Sequence, residues 1–183
     1  QGDSLIEARV SNGENDILLG TTNGKSIRFS EEQIRPSGRK TMGVKGITLS
    51  SKDDKVVGML LIKREGTVLV ATENGFGKRT EIIQYRAQKR GGKGVLTMKT
   101  TDKIGKMITI KEVVGTDDLM IIRDDGVLIR MPVSQIRSIG RATQGVKLIK
   151  LAEGTKVSAI TRIISEEEKT ADEPENNPEP QDA

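Results

Sequence analysis

Short apolar runs recur along this 183-residue chain, separated by polar links rich in glycine and cations. The runs at 17–21, 68–72 and 119–123 are largely β-branched, and each leads into Asn23-Gly24, Asn74-Gly75 or Asp125-Gly126. Such dipeptides favour the paired positive φ angles of a type I′ hairpin turn, so second strands are expected at once, over 25–29, 76–80 and 127–131. A long polar connection follows, and a third strand is expected to start at Val44, Val95 or Val146. A fourth apolar run closes each unit, at 56–62, 107–113 and 157–163. No window carries a helical period of useful length.

The whole pattern repeats every 51 residues. Gly24, Gly75 and Gly126 stand in register, as do Arg28, Arg79 and Arg130, then Arg39, Arg90 and Arg141, then Gly43, Gly94 and Gly145 with a valine after each. Four strands in one unit of about 50 residues is the size of a propeller blade, and a lone blade cannot bury both of its faces. The expected fold is therefore all-β and propeller-like, with four-stranded blades at 13–63, 64–114 and 115–164. Residues 1–12 read as the end of a preceding repeat, which makes the chain a fragment or processed piece in this reading. Three blades seldom close a ring, so either more blades precede Gln1 or the array is open and curved.

Charge changes the picture more than composition does. From residue 165 onward there are eight acidic residues and one lysine, which leaves 29 cations against 18 acids over residues 1–164, a net +11. A strongly basic body followed by an acidic, Pro/Asn-rich end suggests a polyanion-binding domain with a solvated tail, and 165–183 is expected to be disordered. There is no histidine and no cysteine. That excludes disulfides, thiolate chemistry, Cys/His zinc sites and every histidine-based triad. No apolar run reaches the length of a membrane span, and a soluble, cytoplasmic protein is expected.

The most informative link reads Gln88-Lys89-Arg90-Gly91-Gly92-Lys93-Gly94. Three cations beside three glycines make a backbone that can approach closely with charge to hand, which suits phosphate oxygens. It is not a nucleotide P-loop, because Gly92-Lys93 is followed by Gly94 and not by Ser or Thr. The same position supplies Arg39, Lys40 and Lys45 in the first unit and Arg141 and Lys147 in the third, so the cations are expected to form one stripe. A second set, Arg28, Lys78, Arg79 and Arg130, lies at the second strands. These either extend the stripe or pair with strand carboxylates and tie blades together. Asp53-Asp54, Asp117-Asp118 and Asp124-Asp125 read as turn chemistry rather than magnesium ligands. Tyr85 shares the register of Ile34 and Ile136 and reads as a packing residue. The three aromatic residues sit at strand positions and not in the cationic links, so duplex is favoured over single-stranded nucleic acid as partner.

The segment 88–94 resembles the gyrase box found in the C-terminal domain of DNA gyrase A. The flanking runs Glu73-Asn74-Gly75-Phe76-Gly77-Lys78-Arg79-Thr80 and Gly140-Arg141-Ala142-Thr143-Gln144-Gly145-Val146-Lys147-Leu148 are similar to that family too, so the likeness covers essentially the whole chain. Lys89 stands where the usual box has arginine, which keeps the charge and loses the planar fork. A box one full repeat before the tail corresponds to the box-like loop of a late blade, with the principal box upstream of Gln1. The resemblance implies a β-pinwheel with strands exchanged between blades, around whose rim double-stranded DNA wraps. It also implies partners in the rest of gyrase A and in gyrase B, in an ATP-dependent type IIA topoisomerase that introduces negative supercoils. This chain would carry no catalytic residue, no metal and no cofactor of its own. Three other readings stay open: the C-terminal domain of the A subunit of a topoisomerase IV, a protein-interaction propeller with a basic rim, and an autonomous enzyme.

Overall fold

The computed structural model describes residues 4–164. The expected disorder of the acidic tail lies outside them. Eleven strands and three single-turn 3-10 helices follow one another in a threefold rhythm: β1 (Asp16–Thr21), β2 (Lys25–Ser30) and β3 (Val56–Ile62), then β4 (Thr67–Thr72), β5 (Phe76–Glu81), β6 (Val95–Leu96) and β7 (Met107–Val113), then β8 (Asp118–Arg123), β9 (Leu128–Pro132), β10 (Val146–Lys147) and β11 (Val157–Ile163). The 3-10 turns at Glu31–Gln33, Ile82–Gln84 and Val133–Gln135 each follow a second strand. No helix among the described residues is long and apolar enough to cross a membrane.

Sheet membership crosses the sequence repeat. The three sheets run β3-β1-β2-β6, β10-β5-β4-β7 and β11-β8-β9, with the paired strands antiparallel. The short third strand of each unit thus leaves its own hairpin and pairs with the hairpin before it: Val95 and Leu96 face Ser26 and Lys25, and Val146 and Lys147 face Gly77 and Phe76. This explains one departure from the sequence expectation. Val44 is not in a strand, because no hairpin in the described residues precedes it for the segment to join. The third sheet holds three strands, because the described residues contain no later link to pair with its hairpin.

The hairpin turns depart from expectation as well. No residue other than glycine has a positive φ, so Asn23, Asn74 and Asp125 do not take the type I′ conformation. The Gly24 amide instead donates to Thr21 O (3.0 Å), that of Gly75 to Thr72 O (3.0 Å) and that of Gly126 to Arg123 O (3.1 Å), while the glycines alone turn left-handed at φ 76°, 78° and 85°. Three loop residues join the strands of the first two hairpins and four those of the third, and an ordinary turn closed by a left-handed glycine fits these lengths.

β4 is buried along nearly its whole length, which matches its unbroken apolar sequence between two neighbouring sheets. One hydrophobic cluster, including Leu18, Val68, Tyr85, Met98 and Met107, joins the first sheet to the second, and another, including Leu69, Leu119, Ile121, Ile136 and Ile149, joins the second to the third. β7 packs against both β3 and β11. A third cluster, Ile17, Ile27, Phe29, Ile47 and Leu61, lies within the first unit, so the molecule is held together across its repeats as well as inside one, and the links between hairpin and third strand bridge adjacent sheets.

The loop before β3 is fastened by a carboxylate. Asp54, 2% exposed, accepts from Thr22 Oγ1 (2.9 Å), the Asn23 amide (3.0 Å), the Ser50 amide (3.1 Å) and Ser50 Oγ (2.6 Å). Burial would raise its pKa, but those donors outweigh it and hold the carboxyl down at about 2 against an ordinary 3.8. A carboxylate with a depressed folded pKa stabilises above its unfolded value and loses that contribution as pH falls toward the folded one. Asp54→Ala should therefore lower unfolding free energy by about 1–3 kcal/mol at neutral pH in urea titrations. That gap should narrow as pH falls below 3.8 toward 2. A gap that stays constant across the window would show that the ionised carboxylate is not what holds the loop.

Candidate nucleic-acid interface

After each 3-10 turn the chain runs along the preceding sheet in a link: 35–48, 86–99 and 137–150. Together these three stretches hold thirteen lysines and arginines and not one aspartate or glutamate. No carboxylate within a link offsets the charge, so whatever side of the molecule they occupy is strongly positive.

Successive links are stapled to one another by the same bonds, one repeat apart. Arg90 NH1 donates to Lys45 O (2.6 Å), and Arg141 NH1 donates to Leu96 O (2.9 Å). The Arg90 amide donates to Gln33 Oε1 (2.8 Å), and the Arg141 amide to Gln84 Oε1 (3.3 Å). The Thr48 amide donates to Gly92 O (2.8 Å), and the Lys99 amide to Thr143 O (3.0 Å). The second link therefore lies on the first and the third on the second, and the three make one continuous band along an edge of the array.

Within that band the predicted residues divide by role. Lys40, Lys45, Lys89, Lys93 and Lys147 are exposed, and Lys147 Nζ also sits 5.6 Å from the Phe76 ring centre. Arg39 is exposed too. Arg90 and Arg141 are half-buried and spend guanidinium donors on backbone carbonyls; Arg90 Nε adds a bond to Gln33 O (3.1 Å). Gln88 is half-buried and its amide nitrogen is shielded from solvent, while its backbone N–H donates to Arg28 O (2.8 Å). Gly91 and Gly94 take left-handed φ of 81° and 69°, and Gly92 lets the link pass over Ile27.

The second set is mostly spent inside the protein. Lys78 is fully buried, and its ammonium donates only to the third link, so it is not part of any exposed stripe. Burial, with the nearby positive Arg141, lowers its pKa to about 8. Arg28 pairs with Asp16 (2.6 Å) on its own hairpin and reaches Ile82 O (3.4 Å) and Tyr85 O (3.3 Å) of the next unit. Arg79 donates through Nε to Ile136 O (2.8 Å), the same bond one repeat on, but has no carboxylate beside it because Thr67 stands in the register of Asp16 and Asp118. Arg130 pairs with Asp118 (2.6 Å) and stays exposed. In this set the ties between units are made to carbonyls, and the two carboxylate pairs, Arg28–Asp16 and Arg130–Asp118, lie within hairpins.

Tyr85 is 1% exposed in the core between the first two sheets, and burial pushes its hydroxyl up to about 12, so the ring packs and offers no nucleophile. Among the described residues no three carboxylates gather as a metal site. The sequence reading passed over five exposed cations of the band: Arg35, Arg86 and Arg137, which repeat in strict register, and Lys99 with Lys150, which match in two units. The 51-residue spacing was the signal that would have found them.

The description "DNA gyrase C-terminal domain, beta-propeller" matches three stretches of the chain, residues 15–63, 66–113 and 117–163. The A subunit of the DNA gyrase from Staphylococcus epidermidis is 45% identical over 170 residues, which is 92% of this chain and 19% of that relative, so the chain spans about a fifth of the protein it matches. Among solved structures, a DNA gyrase A C-terminal domain superposes with a TM-score of 0.76 at 22% identity over 82% of this chain and 51% of its own. The C-terminal domain of a DNA topoisomerase IV gives 0.79 at 22% identity, over 85% and 48%. At that identity the two structures show a shared fold.

Proposed function

This chain belongs to the DNA gyrase C-terminal β-propeller family, and from that membership we propose that it binds duplex DNA along the stapled band of links and bends the duplex around the curved edge. The observation that carries the reading is the band itself: links of adjacent units, free of acids, held side by side by register-identical arginine bonds while their lysines stay in solvent. Exposed Lys40, Lys45, Lys89, Lys93 and Lys147 and exposed Arg35, Arg39, Arg86 and Arg137 supply phosphate contacts, and Arg90 and Arg141 fix the spacing at which those contacts are presented. Gly91 and Gly94 bring backbone near the phosphates.

Base edges play little part, because the links offer charge without a helix or ribbon to enter the major groove. Bending 20–30 base pairs by 40–90° costs of order 1–6 kcal/mol, which successive cationic links spread along one edge can offset. In the assembled enzyme, with the remainder of gyrase A and with gyrase B, a bent segment held here would favour passage of DNA from the same molecule and so support ATP-dependent negative supercoiling. The blade bounds 13–63, 64–114 and 115–164 are part of the same proposal.

Closing nicked circular DNA with ligase in the presence of the chain tests it. The linking-number distribution of the closed circles should shift progressively with protein, and added salt should abolish the shift. Circles identical to those closed without protein would overturn the bending role. Binding to an acidic protein partner that competing duplex does not displace would favour a protein-interaction propeller instead.

A further inference from the structure

The register position occupied by Ile27 in the first unit and Ile129 in the third holds Lys78 in the second. A charge has been placed where the repeat otherwise puts a core aliphatic side chain, and Lys78 is 0% exposed. Its Nζ donates to Gly140 O (2.8 Å), Arg141 O, Thr143 O (3.3 Å) and Thr143 Oγ1 (3.1 Å), all from one turn of the third link. The hydroxyl that receives it passes its own proton to Gly140 O (2.9 Å). None of these acceptors is a carboxylate. Three carbonyls and a hydroxyl converging on one positive centre replace a hydration shell as the carbonyl oxygens of a cation-selective filter do.

The second link shows what the same turn does over an aliphatic residue. There Ile27 lies beneath Gly92, which stands in the register of Thr143, so the hydroxyl is missing. Gly92 O accepts from the Thr48 amide (2.8 Å), as Thr143 O does from the Lys99 amide (3.0 Å), so what the second link lacks is the ammonium and the hydroxyl. Lysine beneath and threonine above therefore go together in one unit, isoleucine beneath and glycine above in the other.

We infer that the turn Gly140–Thr143 is a monovalent-cation cage whose resident cation is the tethered ammonium of Lys78, and that a cage emptied of that side chain would take up potassium or a primary alkylammonium ion. The inference needs no DNA reading. A buried cation without a counter-charge is unfavourable unless its hydrogen bonds are complete, and here the ammonium's three protons meet four acceptors. The charge in turn orders a turn that has no strand pairing of its own. Lys78 is a positioning residue: it acts on the link and reaches no ligand of it.

The test removes the side chain and offers its missing part back. In Lys78→Ala, amide exchange is followed by NMR at Lys99, whose N–H donates to Thr143 O, and at Arg141, whose N–H donates to Gln84 Oε1. Both should exchange faster by about tenfold or more, the loss expected for charged hydrogen bonds. n-Propylammonium, and potassium less fully, should restore protection, while tetramethylammonium at the same ionic strength should not. Lys78→Met keeps the stem and lacks the charge. Its two amides should exchange as fast as in the alanine variant and gain nothing from propylammonium, and they carry the reading if the alanine variant does not fold. Native protection of these amides in Lys78→Met, or equal rescue of Lys78→Ala by tetramethylammonium, would overturn the cage.

Discussion

Replacing Arg86, Lys89 and Lys93 together by alanine is expected to flatten the dependence of log K on log salt for duplex DNA by about 2.7 units, since each phosphate neutralised contributes about 0.9. All three side chains are solvent-exposed, and none makes the staple bonds that hold the links together. Thermal stability should change little, which separates a lost ligand contact from a lost structure. At moderate salt the affinity falls by orders of magnitude, and the fall should be nearly the same for unrelated sequences, because phosphate contacts carry no base information. Arg90→Ala provides the contrast. Its guanidinium joins the second link to Gln33 O and Lys45 O, so its removal should lower stability as well as affinity and should loosen two links at once. A triple variant with an unchanged salt slope would remove the band from the binding surface.

The second large effect comes from a glycine that permits strand exchange. Gly94 enters β6 at φ 69°, and a Cβ built there would stand 2.3 Å from Ser26 O on the partner strand. Both the left-handed backbone and a contact no side chain tolerates oppose any larger residue. Gly94→Ala should therefore lower unfolding free energy by about 3 kcal/mol and detach β6 from β2. Gly43 provides an internal control: its φ is 75°, yet nothing lies within 4 Å of its Cβ position, because no hairpin in the described residues receives its segment. Gly43→Ala should lose only the backbone preference, about 1 kcal/mol. Gly145, at φ 77° with Gly77 O 2.6 Å away, should behave like Gly94. Equal losses at positions 43 and 94 in denaturant titrations would mean that close approach to the neighbouring hairpin contributes nothing.

The three glycines share one sequence register and read alike along the chain, yet only two of them face a neighbour. The sequence by itself determined the repeat, the three long strands of each unit and the charge. Residues 56–62, 107–113 and 157–163 were legible as strands to the residue, because side-chain alternation and turn-forming glycines act over a few positions. The acid-free links were legible for the same reason, as composition.

Tertiary structure decided what each cation does. Arg90 and Lys93 are three residues apart in one motif, but one donates to Lys45 O across the array and the other faces water. Lys78 and Arg79 are adjacent, and only the first is sealed beneath the third link. These outcomes depend on carbonyls 45 to 65 residues away in sequence, brought within hydrogen-bonding distance by strand exchange between units. A hydrogen bond is set by distance in space, and local pattern carries no record of which distant acceptor a side chain will meet.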